Sequence, residues 1–247
     1  MSAIQTYVRK TAPRGRETER VGPFLATYSP DTEHPMLNYA IPDDGARPSS
    51  AEIDALTAAY RRRGLLPRLE YFTDIAPDLE KLLVGAGYGL ERRVALMTCG
   101  PADLVDRAAP DGYVVREPVS REDHRGMRTA QNHAYGEPGE VTDQDVDKAL
   151  KSKATSALVE HLAGGEIVGG GVAVEIVDGT TEIAGIGVLD THRGRGLAAA
   201  ITAFLTRDAF TKGAHTAFLT PGDGEIQRIY ARVGYRPAGE CVHLSLS

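Results

Sequence analysis

Residues Val188 to Ala198 constrain this chain more than any other stretch, because an apolar strand runs directly into a glycine-rich turn that opens a helix. Ahead of the turn, residues 182–189 combine β-branched and small types, a composition that suits a buried strand. After it, Leu197, Ile201, Phe204 and Leu205 recur at helical spacing and Gly213 stands where a helix would end, so an amphipathic helix is predicted over 197–210. The first turn of such a helix presents unpaired N–H groups at the positive end of the macrodipole, and Gly194 and Gly196 let a ligand come close to the backbone. Arg193 and Arg195 add positive charge at the same place. The segment reads as an anion cradle. Three readings stay open at this level: a dinucleotide, since Gly194, Gly196 and Ala199 satisfy G-x-G-x-x-G/A; another phosphate-bearing ligand; or glycines that serve packing alone.

The segments before the turn argue against the dinucleotide. Residues 157–162, 167–176 and 181–188 read as consecutive strands joined by Gly164 with Gly165 and by Asp178 with Gly179, which are hairpin connections. They predict an antiparallel meander, whereas a dinucleotide site calls for a parallel doubly wound sheet. Earlier still, a strand over 113–117, a helix from Ser120 to about Tyr135 and a shorter helix from Thr142 to Ser152 are expected. A strand ending at Thr220, a helix through Gly234 and a last strand over 241–246 follow the turn.

In this setting the spacing Arg193-x-x-Gly196-x-Ala198 resembles the pyrophosphate-binding signature of the GCN5-related N-acetyltransferase (GNAT) family, Gln/Arg-x-x-Gly-x-Gly/Ala, with Val188 five positions ahead. Two further elements stand in the same order. Tyr230, Gly234 and Tyr235 are similar to the family's closing Tyr-x-x-x-Gly-aromatic element, and Glu182 lies eleven residues before Arg193, where several members carry a general-base glutamate. The resemblance covers residues 112–247. It implies the GNAT acyl-CoA N-acyltransferase fold, an α/β (α+β) architecture with a mixed, mostly antiparallel sheet flanked by helices. It further implies acetyl-CoA as cosubstrate, no metal, and an amine acceptor on a small molecule or peptide.

The same resemblance assigns roles. The backbone of Gly194, Arg195, Gly196, Leu197 and Ala198, with Arg193, would hold the pyrophosphate. Val188 and Leu189 would pair with the pantetheine arm, and a backbone N–H of one of them would face the developing oxyanion. An ammonium has no lone pair, so a base must remove its proton; Glu182 is the candidate, with Glu175 in reserve, and a surface glutamate is the plainer reading. Tyr230 is the candidate acid toward the leaving thiolate, its plainer reading being a core tyrosine. Asp223 stands seven residues before Tyr230, where members often carry a pantetheine-contacting asparagine, and it reads equally as a helix cap. His192 and His215 are expected to be ordinary loop residues.

Residues 1–105 repeat part of this order. Strands over 24–28 and 36–41, a helix over 50–64 capped by Ser49 or Ser50, a strand over 69–72, a helix over 76–85, Gly87 with Tyr88 and a strand over 92–98 suggest a degenerate copy of the same fold. A domain over 1–105 without cofactor motif and a catalytic domain over 112–247, with the acceptor received between them, are therefore expected. The alternative for the first half is an unrelated small α+β domain. In the copy, Asp43 and Asp44 occupy the place where an anion site wants glycines and arginines, and would repel pyrophosphate. One cofactor per chain is the expectation.

Composition narrows the remaining classes. A net charge of -6 argues against a general nucleic-acid binder. Only Cys99 and Cys241 are present, too few for a disulfide framework or a cysteine zinc site. No apolar run approaches the roughly 18 residues of a membrane span. A cytoplasmic protein, monomer or homodimer, is expected, without nucleic-acid or membrane partners. No Gly-x-Ser-x-Gly elbow, phosphate-loop lysine or His-Glu-x-x-His motif occurs. The rival readings are a non-catalytic acyl-CoA-binding or regulatory protein on the same fold, and an acyltransferase using another acyl group or a hydroxyl acceptor.

Overall fold

A computed structural model describes residues 2–137, 139–222 and 224–247. In chain order its helices are α1 (Ser2–Thr11), α2 (Ser50–Arg61), α3 (Leu79–Gly85), α4 (Arg121–Ala134), α5 (Asp143–Lys151), α6 (Leu197–Thr211) and α7 (Gly224–Ala231). The strands are β1 (Glu17–Val21), β2 (Phe24–Tyr28), β3 (Ala40–Pro42), β4 (Arg68–Phe72), β5 (Gly89–Cys99) and β6 (Tyr113–Arg116). They continue with β7 (Thr155–His161), β8 (Glu166–Ala173), β9 (Thr180–Val188), β10 (Thr216–Leu219) and β11 (Arg236–Ser245). The architecture is α/β, a mixed and mostly antiparallel sheet flanked by helices.

Two compact units form, Met1–Leu96 with Pro237–Ser247, and Met97–Arg236. These do not coincide with the expected boundaries. The strand over 241–246, expected to complete the second domain, pairs antiparallel with β4, Cys241 opposite Phe72 and Ser245 opposite Arg68. Residues 97–99 of β5 pair with β10 in the second unit. A strand goes where an open sheet edge accepts its backbone groups and a core accepts its apolar face, and neither condition is written in the strand itself. Val242 and Leu244 are fully buried in the first unit's core.

The first unit orders its strands β1-β2-β3-β4-β11-β5. β1, β2 and β3 form an antiparallel meander, and α2 crosses over to put β4 parallel to β3. Phe24, Leu56, Tyr60, Leu69, Leu79 and Leu83 fill the core beneath α2 and α3. α1 and β1 were not foreseen, and the expected strand over 36–41 is a 3-10 turn at Pro35–Leu37 followed by the short β3. α2 begins in a capping box: Glu52 N–H donates to the Ser49 hydroxyl and Ser49 N–H donates to the Glu52 carboxylate.

The second unit orders its strands β10-β9-β8-β7-β6, with residues 97–99 of β5 beside β10. β7 to β9 form the predicted antiparallel meander, β6 adds antiparallel to β7, and α6 crosses over to place β10 parallel to β9. α4 and α6 cover opposite faces: a Cβ on Gly170 would strike Met127 of α4, and one on its neighbour Gly171 would strike Ile201 and Leu205 of α6. The α6 side holds Val159, Val168, Ile183, Ile201, Leu205, Leu219 and Tyr235. Thr206, buried in that helix, is satisfied by the Tyr235 hydroxyl at 2.7 Å. α4 starts where Ser120 accepts from Asp123 N–H, and the Asp123 carboxylate takes two bonds from Arg116 at 2.6 and 3.0 Å. That pairing holds the Asp123 carboxyl well below the usual carboxylate range.

Candidate active site

β9 and β10 begin as a parallel pair, Thr180 opposite Thr216 and Glu182 opposite Phe218, and their pairing ends there. β9 runs on to Val188, so from Ile183 onward this edge pairs with no strand among the described residues. On its other side β9 stays paired to β8, with one residue more than its partner between Ala184 and Gly187. Gly185 sits in that bulge at φ 62°, a conformation that favours glycine. The bulge is anchored from α4: Gln131 Nε2 donates to the Gly185 carbonyl at 2.6 Å, and the Tyr135 hydroxyl donates to the Ile186 carbonyl at 3.2 Å.

Beyond Val188 the chain makes a 3-10 turn at Asp190–His192 and then the glycine turn. Gly194 and Gly196 lie at φ 76° and 85°, and no side chain caps the helix that follows. A Cβ on either glycine would meet nothing within 4 Å. Packing therefore does not require them; the backbone conformation does, and the space beside it is open. The first bond of α6 runs from Ala200 N–H to the Gly196 carbonyl, so the N–H groups of Leu197, Ala198 and Ala199 belong to the first turn, which has no intrahelical acceptors. An uncapped helix start with open space beside it fits an anionic phosphate group.

The two arginines of the turn differ. Arg193 donates from Nε to the Val188 carbonyl at 3.1 Å and from Nη2 to the Ala134 carbonyl at 2.9 Å, and pairs with Asp190 at 2.9 Å. Its guanidinium ties the end of β9 to the end of α4, and its charge is already balanced. Arg195 is exposed, contacts only the Thr191 carbonyl at 3.4 Å and forms no ion pair among the described residues. Both are exposed; of the two, Arg195 is the cation without an ion pair among the described residues.

Val188 and Leu189 also separate. Leu189 N–H donates to the Val168 carbonyl at 2.9 Å, so it is not open to an oxyanion. Successive residues of a strand aim their N–H groups to opposite edges, which turns that of Val188 toward the side β10 has left. Glu182 is half-buried and shares the α4 face with Gly187, whose Cβ position borders Ala134 and Gln131. Glu175 lies past the end of β8, ion-paired to Lys153 at 3.1 Å. Tyr230, on α7, packs with the core on the α6 side, its ring edge-on to Tyr235 at 6.3 Å. Burial, and next the nearby Tyr135, push its phenol pKa upward, so it is protonated at neutral pH. Asp223 lies outside the described residues. Cys99 and Cys241 are buried thiols, and burial pushes that of Cys99 up to about 11.

Sequence reasoning missed Gln131, Tyr135 and Asp190. The first two stand one helical turn apart, a spacing visible in the chain, but nothing local announces that a β-bulge will lie opposite them.

Residues 124–235 match the family model described as the acetyltransferase (GNAT) family. Among solved structures, the chain is similar to a GCN5-related N-acetyltransferase from Kribbella flavida, at 29% identity and TM-score 0.83, over 99% of this chain and 94% of that one. It also resembles a GCN5-related N-acetyltransferase from Sphaerobacter thermophilus (17% identity, TM-score 0.67, 90% and 79% covered). A third likeness is to a tandem GNAT protein from the clavulanic acid biosynthesis pathway (12%, 0.65, 96% and 85%). The last two likenesses show the fold alone. No curated protein sequence matches the chain.

Proposed function

Because residues 124–235 match the model of the GNAT acetyltransferase family, we propose that this chain moves an acetyl group from acetyl-CoA to an amine of a small molecule or peptide, both held at once. The observation that carries this reading is the meeting of an uncapped, glycine-opened helix start with a strand edge that β10 has left free to pair.

When bound, acetyl-CoA supplies an activated thioester. The backbone N–H groups from Gly194 to Ala198 hold the pyrophosphate, helped by Arg195, while Arg193 keeps the turn in place. The open edge of β9 up to Val188 offers N–H and C=O groups to the amides of the pantetheine arm in the manner of strand addition. Glu182 removes a proton from the acceptor ammonium, directly or through water. Val188 N–H donates to the carbonyl oxygen as it gains negative charge. Tyr230 arrives protonated and donates its hydrogen bond to the departing sulfur.

The first unit we read as a degenerate copy that binds no cofactor, since its antiparallel meander, crossover helix and parallel strand repeat the order of the second. No helix among the described residues is long and apolar enough to cross a membrane. The test is thiol release from acetyl-CoA against a panel of small amines, aminoglycosides and peptides, with product mass. Amine-dependent release with an acetylated product is expected. Silence across the panel with CoA binding retained would instead identify an acyl-CoA-binding protein.

A further inference from the structure

Away from the edge of β9, the sheet lines up three side chains. Tyr113 of β6, His161 of β7 and Glu166 of β8 occupy directly opposed positions, Tyr113 opposite His161 and His161 opposite Glu166, so all three project from one face. His192, in the 3-10 turn that leads into the cradle, joins this row. The ligating atoms of His161, Glu166 and His192 lie within 4.8 Å of one another. Tyr113 stacks on the His161 ring with centroids 4.9 Å apart, and its hydroxyl lies 2.9 Å from His192 Nδ1.

His192 Nε2 stands 3.9 Å from the Glu166 carboxylate, too far for a hydrogen bond. Two donors about 2.1 Å from one zinc ion at a tetrahedral angle stand roughly 3.4 Å apart, so a small closure of these side chains brings them to coordinating distance. The His192 side chain is 13% exposed and that of Glu166 59%, so the imidazole is sheltered while the carboxylate stands largely in solvent.

We propose that His161, Glu166 and His192 bind one transition-metal ion of the zinc class, with Tyr113 as a positioning residue. Two imidazoles and a carboxylate suit zinc, cobalt or nickel, whereas magnesium and calcium take oxygen donors. When the Tyr113 oxygen accepts from His192 Nδ1–H, the tautomer is fixed and the Nε2 lone pair is left for the ion. A fourth position stays open to water. Because His192 directly precedes Arg193, a bound ion ties the approach to the cradle to the β7–β8 hairpin. The resemblance implied no metal, and His192 joins the other two only through the fold.

The test uses the full chain, free of any affinity tag, stripped with chelator and titrated with zinc chloride in the absence of acetyl-CoA. One zinc per chain is expected by calorimetry. His161→Phe, which keeps a ring against Tyr113, and Glu166→Gln should each weaken it at least about ten-fold, and Tyr113→Phe about ten-fold through lost orientation. Cobalt chloride added to the wild-type chain should give the visible absorption of a four-coordinate ion, a readout that needs no variant. No zinc bound by the wild-type chain, no cobalt absorption, or unchanged affinity in His161→Phe and Glu166→Gln would each overturn the proposal.

Discussion

The N-termini of α2 and α6 occupy equivalent places, each following a strand and leading to a second strand parallel to the first, and they are finished in opposite ways. At α2 the chain supplies its own anion: Glu52 and Ser49 cap one another, Asp43 pairs with Arg20, and Asp44 pairs with Arg9, which also donates to the Pro42 carbonyl at 3.0 Å. At α6 no side chain caps the helix, both turn glycines are left-handed, and Arg195 faces solvent. The same crossover topology therefore does not make an anion site. What decides is whether the chain satisfies its own first-turn donors, which stabilises a helix by about 1 kcal/mol, or leaves them for a ligand.

This contrast can be broken at several points. The largest effect should come from separating chemistry from the cradle: Glu182→Gln and Tyr230→Phe should each lower turnover by about 10²–10³ while CoA affinity stays within about two-fold, and unchanged rates in both would remove the assigned roles. Next, Gly196→Asp gives α6 a carboxylate of the kind α2 already has, and CoA affinity by calorimetry should fall at least about 100-fold; a loss of only a few-fold would mean the two helix starts do not differ in the way described. Arg193→Gln removes the tie between β9 and α4, and CoA binding should weaken about ten-fold with little change in its salt dependence, since the charge lost was already paired. Ser49→Ala should destabilise the chain by about 1 kcal/mol in urea unfolding and leave one CoA per chain; a second equivalent would show that capping alone had silenced the first cradle.

The smallest effect is a pH signature. Hydrogen bonds from the Ser49 backbone and hydroxyl hold the Glu52 carboxyl below its ordinary value. A lowered carboxyl stabilises the fold above its ordinary titration range, and the stabilisation is lost as the pH falls through that range toward the lowered value. The amide resonances of Ser49 and Glu52 should move together on acidification, while those of residues 197–199, whose helix start holds no carboxylate, should not follow them.

Much of the second unit was legible locally. Hairpin signals at Gly164, Gly165, Asp178 and Gly179 gave the meander, and apolar spacing after Gly196 gave α6. The acidic loop over 42–48 was legible as a poor phosphate site, and the structure adds that its acids are held by Arg9 and Arg20. Less was legible where a residue's partner lies far along the chain. Arg193 read only as a phosphate cation; its bonds to the carbonyls of Val188 and Ala134 could not be read, because these converge on it only after α4 has packed against β9. Leu189 looked equivalent to Val188 until the β8 register took its N–H.

The sequence by itself determined how the two helix starts differ, glycines and arginines at one and acids at the other, since φ above zero favours glycine and a carboxylate repels phosphate wherever the segment sits. Only the tertiary structure decided which donors stay open and which strands complete each unit. Backbone pairing is indifferent to side-chain identity, so the assignment of β11 to β4, the departure of β10 from β9 and the gathering of His161, Glu166 and His192 are settled by competition among sheet edges and packing faces across the whole chain.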